Sequence, residues 1–234
     1  MNKKSVLKKL LLDEAAFDEI KSAVKNAEKK TSGEIALALA CESSTYAFWE
    51  LRAAVFTGVL LLACLFPMAS QIYAWLGSLF WGVKPWYLAA FFVIVIALVI
   101  LILYFAYNIT FVDSFIVPEK AKSEAVNSRA LRYFAESGVY CTKSHCGVLI
   151  YVSYFEKRVR IIADKGINEK ISSDLWDLIA DEMTDLLKCH KGKEAFLSAV
   201  NRCGELLAEY FPADENNCDE LENGLCVLEE SRWL

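Results

Sequence analysis

Histidine is nearly absent: His145 and His190 are the two in 234 residues. With so few, and with no Gly-x-Ser-x-Gly elbow, a Ser/His/Asp nucleophile system has no support. Glycine is sparse too, ten residues in no cluster. Neither a Walker loop nor a dinucleotide fingerprint occurs, so nucleotide hydrolysis and hydride transfer lack their phosphate-cradling loops. Basic residues are nowhere concentrated. The formal net charge is -5, and without the acidic stretch 213–234 the chain carries 24 basic and 23 acidic residues. Nucleic acid, which requires Lys and Arg gathered on one face, is therefore not an expected partner. The start "MNKKSVLKKLLLDEAAF" is basic, but its apolar run ends at Asp13, so no signal peptide is expected. There is no internal repeat and no Gly/Ser linker.

Apolar residues are abundant: they make up 56% of the chain, and the mean hydropathy is positive, too high for an ordinary soluble domain. "WYLAAFFVIVIALVILILYFAYN", 86–108, holds 23 residues without a charge. As a helix it is about 34 Å long, against a hydrocarbon core of about 30 Å. Upstream, 53–74 is also free of charge, and its Pro67 is compatible with a helix in lipid. "WLGSLFWGVKP" between them is rich in tryptophan, as membrane interfaces are. The pattern predicts a transmembrane hairpin over 51–109, with helices at 53–74 and 86–108. Arg52 flanks it on one side and Lys120, Lys122 and Arg129 on the other, while the loop has Lys84 alone. This bias places the loop outside, and the soluble parts and both termini in the cytoplasm of a multi-pass protein of the cell (inner) membrane.

The soluble chain falls into a first part, 13–50, and a second, 110–212. In the first, Phe17, Ile20, Val24 and Ala27 give a helix with one apolar face, and "EIALALA" follows as a strand. After the hairpin, Pro118 opens a helix that stops at Ser137 and Gly138. "VLIYVSY" is apolar on both sides, as a central strand is. "RVRIIAD" alternates, as an edge strand does. A helix from Ile171 to Leu187, with Asn168 as a possible cap, and another ending at Pro212 complete the order. Strand, helical crossover and strand imply a parallel pair, and the two-strand hairpin adds an antiparallel member, giving a small α/β layered domain. The tail 213–234 has too few apolar residues for a domain and reads as an extension packing through Leu221, Leu225 or Trp233, or binding a partner.

Eight cysteines are present. One lies inside an apolar span and several at helical core spacing, which favours free thiols in a reducing compartment over disulfides. "CTKSHC", from Cys141 to Cys146, with Cys189 and His190, has spacing longer than a zinc knuckle's and longer than a redox pair's. Carboxylate chemistry remains. Asp164, Glu34 and Glu156 are candidate oxygen ligands for Mg²⁺ or Ca²⁺, and Arg158 is a candidate phosphate contact. A plainer reading stands beside it: Glu156, Lys157 and Arg158 form a solvated turn, and Asp164 with Gly166 makes an Asx-type turn into a helix.

"AVKNAEKKTSGEIALALA", "GVLIYVSYFEKRVRIIADKGI", the helix at Trp176 and "FLSAVNRCGELLAEYFP" together resemble the TPM-domain family. Their order agrees as well, over 18–41 and 119–230. The likeness is greatest to bacterial membrane members in which two transmembrane helices follow the first strand, and which end in an acidic "NEL"-like segment, here "NNCDEL". The resemblance implies a three-layer α/β/α sandwich with a mixed sheet of three to four strands. Three strands are clear, and a fourth is either missing or lies in 111–117 or in the tail. Members are linked to divalent-metal binding, to acid phosphatase activity, and to assembly or repair of membrane complexes. The resemblance thus implies a membrane-anchored module, non-catalytic or weakly catalytic, that touches lipid and a membrane-protein partner in assembly, maintenance or quality control. The alternative is a divalent-metal-dependent phosphatase acting on small phosphate esters or phosphoproteins, with Asp164 the first metal contact.

Overall fold

The computed structural model describes residues 3–82, 84–107, 116–141, 146–213 and 224–228. His145, the "NNCDEL" segment, Leu221, Trp233 and most of 111–117 lie outside them. The chain divides into two compact units, Met1–Ser44 with Glu119–Leu234, and Thr45–Pro118.

The first unit is an α/β domain. Helix α1 spans Lys3–Lys9 and was not foreseen; it is short, and Val6 is its buried anchor. Helix α2, Glu14–Glu28, starts at Asp13, whose side chain accepts from Ala16 N at 2.8 Å. Ala16, Ile20, Val24 and Ala27 are its buried stripe. Strand β1, Glu34–Ala40, is followed, after the second unit, by α6, Glu119–Glu136. Gly138, at φ 77°, ends that excursion. Strands β2, Gly147–Ser153, and β3, Arg158–Ala163, form the hairpin. A single turn, α7, Lys165–Asn168, leads to α8, Ser173–Lys188, and α9, Gly192–Tyr210. Ser172, not Asn168, caps α8, its hydroxyl accepting from Asp174 N. Asn168 instead donates to the Ala163 carbonyl at 2.7 Å.

The sheet has the order β3-β2-β1-β4. β1 and β2 are parallel, with Glu34 opposite Gly147 and Ala40 opposite Ser153, while β2 and β3 are antiparallel. The fourth strand is β4, Leu225–Leu228, parallel to β1, so the tail does enter the sheet. Alternation along β1 divides its side chains between two layers. Ile35, Leu37 and Leu39 join the core shared with α1, α2, α8 and α9. Ala38 and Ala40 meet Leu149, Tyr151 and the α6 residues Val126 and Ala130 on the opposite face. α2 packs so closely on α9 that a side chain at Gly204 would stand 2.7 Å from the Ala27 Cβ. Both faces of the sheet are thus covered by helices, which is why β2 is buried at every position.

In the second unit, α3, Ala47–Leu65, passes through a 3₁₀ turn at Phe66–Met68 into α4, Ala69–Leu79. Pro67 sits in that turn, where its missing N–H breaks no α-helical ladder. α5 spans Trp86–Tyr107. The stretches Ala47–Leu79 and Trp86–Leu103 are long and apolar enough to cross a membrane. The first is therefore longer than the expected 53–74, extending through Glu50 and Arg52 at one end and past Trp75 at the other. Gly58 faces Ile96 and Ile100 of α5, and Trp75 meets Phe91 edge-on.

Candidate functional site

Where parallel strands end, backbone groups and loops converge, and side chains there are well placed for chemistry. In this sheet that edge is formed by Ala40 and Ser153. The chain reverses over 154–157, with Lys157 N donating to Tyr154 O at 3.3 Å and Lys157 at φ 52°. The turn also leans on the exit of β1, since Tyr154 N donates to Ala40 O and Phe155 N to Cys41 O.

This geometry carries Glu156 inward. It is 5% exposed, so the turn is not the solvated corner that its charges suggest. One carboxylate oxygen accepts from Ser43 N at 2.9 Å, and the other from the Ser153 hydroxyl. The Ser43 hydroxyl lies 2.7 Å from Ser153 Oγ and 3.0 Å from the Tyr151 hydroxyl. Ser43, Tyr151, Ser153 and Glu156 thus form one buried network. Burial pushes the Tyr151 phenol up to about 12, the neighbouring Glu156 charge adds to the rise, and Ser43 and Arg129 oppose it. A buried carboxylate is tolerated because several donors face it, and removing them would leave its charge uncompensated.

Arg158, the first residue of β3 after the turn, pairs its guanidinium with Glu119 at 3.0 Å. Glu119 also binds Lys122 at 2.8 Å, and these two cations hold its carboxyl below its ordinary value. Ser43 and Glu119 are the residues beside which the chain leaves for, and returns from, the stretch 45–118. A single hairpin turn therefore grips both ends of the interruption.

Asp164 and Glu34 lie at the opposite end of the sheet. Glu34 pairs with Gly147, and Asp164 N donates to Gly147 O at 2.9 Å. The Asp164 side chain accepts from Lys165 N at 2.6 Å and so caps α7, in place of the expected Asx-type turn with Gly166. Six residues of strand, roughly 20 Å, separate this end from Glu156. Asp164, Glu34 and Glu156 are therefore not brought together as one ligand set, because the register of β1 and β2 holds them apart. Among the described residues no three His, Cys, Asp or Glu side chains are grouped as a cation requires. Cys146, beside Asp164, is buried, and its thiol is pushed up by burial, against the pull of Lys170.

Ser43, Tyr151 and Ser153 did not stand out from sequence. One signal was present: "YVSYFE" ends a wholly apolar strand on Ser153, with an acid three residues on, the spacing of a turn that folds back on its strand.

Residues 107–206 match the family model of the TPM domain. The NMR structure of the BA42 protein from the psychrophilic bacterium Bizionia argentinensis is similar in fold, at 22% identity and a TM-score of 0.54, over 92% of this chain and 94% of that one. No curated protein matches the chain.

Proposed function

Because residues 107–206 match the family model of the TPM domain, we propose that the chain is a membrane-anchored TPM module that binds, and helps assemble or maintain, a partner membrane protein. The observation that carries this reading is the interruption of the α/β domain between Ser44 and Glu119 by two stretches long and apolar enough to cross a membrane. A fold that is interrupted there and gripped at both junctions by one turn is suited to holding a domain at a bilayer. The buried network at the strand ends favours binding over turnover, since Glu156 already accepts two hydrogen bonds and Tyr151 stays protonated. Lipid surrounds the helices, and the domain with both termini lies in the cytoplasm of a cell with an inner membrane.

The test is site-specific photo-crosslinking in native membranes from exposed positions of the α/β domain, such as Leu175 and Leu178 on α8. One reproducible membrane-protein neighbour is the expected outcome, and recovery of abundant porins and lipid alone would sink the reading. Mg²⁺-dependent hydrolysis of 4-nitrophenyl phosphate by the purified chain, lost in Asp164→Asn, would replace it with a phosphatase.

A further inference from the structure

A cavity of about 220 Å³ opens in the α/β unit beside the β2–β3 turn. Its floor is apolar: Leu10, Val152, Val159 and Leu187. Around it stand the basic residues Lys157, Arg158 and Lys188, with His190, and no carboxylate is among the lining residues. We propose that this cavity binds a small organic oxyanion, a carboxylate or phosphate group attached to an apolar body the size of one substituted ring. The inference is independent of the membrane reading above.

Three observations converge on it. Charge complementarity is the first. Arg158 and Lys188 pair with Glu119 and Asp185, but neither carboxylate lines the cavity, and among the described residues Lys157 makes no ion pair. The second is backbone conformation. The described non-glycine residues with left-handed backbone are Leu11, Lys157 and His190, at φ 53°, 52° and 59°. Lys157 and His190 line the cavity, and Leu11 follows Leu10, which does. Glycine is the low-cost residue in that region, most of all just past a helix end, where His190 follows α8. A lysine and a histidine hold two such positions around one cavity, where glycine would cost less, and this motivates a role for their side chains in holding a ligand. Size is the third. The volume is about that of seven water molecules, below the roughly 300 Å³ at which drug-sized sites begin. It admits a ring with its anion.

The probe is 4-(trifluoromethyl)benzoate, followed by fluorine NMR line broadening with the full chain in lipid nanodiscs and empty nanodiscs as background. Saturable broadening by about 1 mM is expected. The neutral 4-(trifluoromethyl)benzyl alcohol should bind about tenfold more weakly or not at all. The matching phenylphosphonate distinguishes a phosphate-type ligand from a carboxylate. The decisive variant is Lys157→Gly with His190→Gly, because glycine relieves both left-handed positions. It should keep or raise the unfolding temperature while weakening the benzoate about tenfold. No binding of either anion, equal binding of the alcohol, or undiminished binding by the double-glycine variant would each overturn the proposal.

Discussion

At the scale of single residues, position on the sheet decides more than residue type. Glu156 and Asp164 are both acids at strand boundaries, and from composition of the surrounding turn they look alike. The structure separates them. Asp164 caps the short turn that follows it, bonding Lys165 N and not Gly166, with which an Asx-type turn was expected. Glu156 is folded under a turn whose neighbours Lys157 and Arg158 remain at the surface, so the charge of the segment concealed the burial of one member. Tyr151 offers the sharpest test of that buried network. Its folded pKa is raised to about 12, above the ordinary value of 10.0. Between those values the unfolded phenol ionises while the folded one stays neutral. The stabilisation is therefore complete below pH 10 and is lost as pH rises towards 12, by roughly 2–3 kcal/mol. At neutral pH, Tyr151→Phe should be the less stable protein by about 1 kcal/mol, because Ser43 Oγ loses a partner. As pH rises from 9 to beyond 11 the gap should close and reverse. Thermal unfolding of both proteins across that range gives the answer, and parallel pH profiles would show that Tyr151 is not a buried neutral phenol.

At the scale of elements, legibility follows length and pairing. α2, β2 and α9 could be read because their apolar periodicity runs over many residues, and the parallel β1–β2 pair followed from the order strand, helix, strand. β3 was readable as an edge for the same reason, its polar and apolar residues alternating. α1 and β4 were not. β4 has four residues, too few to display a period, and its conformation comes from hydrogen bonding to the open edge of β1. It lies between acids, so the residues alone suggested an extension packing through Leu221, Leu225 or Trp233, and only the family resemblance offered the tail as one place for a fourth strand. Leu225 shows what the strand contributes: it is 8% exposed and belongs to the main core. Leu225→Ala should cost about 2–4 kcal/mol. It should also speed amide exchange along β1 from Leu37 to Ala40, the residues that β4 pairs with. Thermal unfolding and hydrogen exchange on the same sample separate the two effects. A change below about 0.5 kcal/mol with unaltered exchange would mean that β4 is not part of the cooperative unit.

At the scale of the molecule, the sequence displayed the apolar helices plainly, and α5 runs where 86–108 was expected, whereas the first is longer than 53–74 because charge was taken as its boundary. α3 begins at Ala47, six residues before the charge-free run, because Glu50 and Arg52 continue a helix already under way. Arg52 lies 4.8 Å over the Trp49 ring, so its cation has a polarisable neighbour while its stem follows the helix. α5 is different in kind. It is apolar on every side, and Val93, Ile94, Leu98, Leu101 and Ile102 are all exposed along it. A helix apolar all round belongs in a protein core or in lipid, and none of its hydropathic window is buried within the protein. Under the anchoring proposed above, lipid is what removes this surface from water. A charge at its middle should then oppose insertion by about 2.5–3.5 kcal/mol. Leu98→Arg places one there. The wild-type chain is expected to remain wholly with the membrane after extraction in alkaline carbonate, and Leu98→Arg to appear partly in the soluble fraction or to be lost to proteolysis. Leu131→Arg, an equally apolar-to-basic change at an exposed site on α6, should leave extraction unaltered. Release of the wild type by carbonate would show that these helices are covered by protein instead of lipid, and the anchoring role proposed for them would fall with that result.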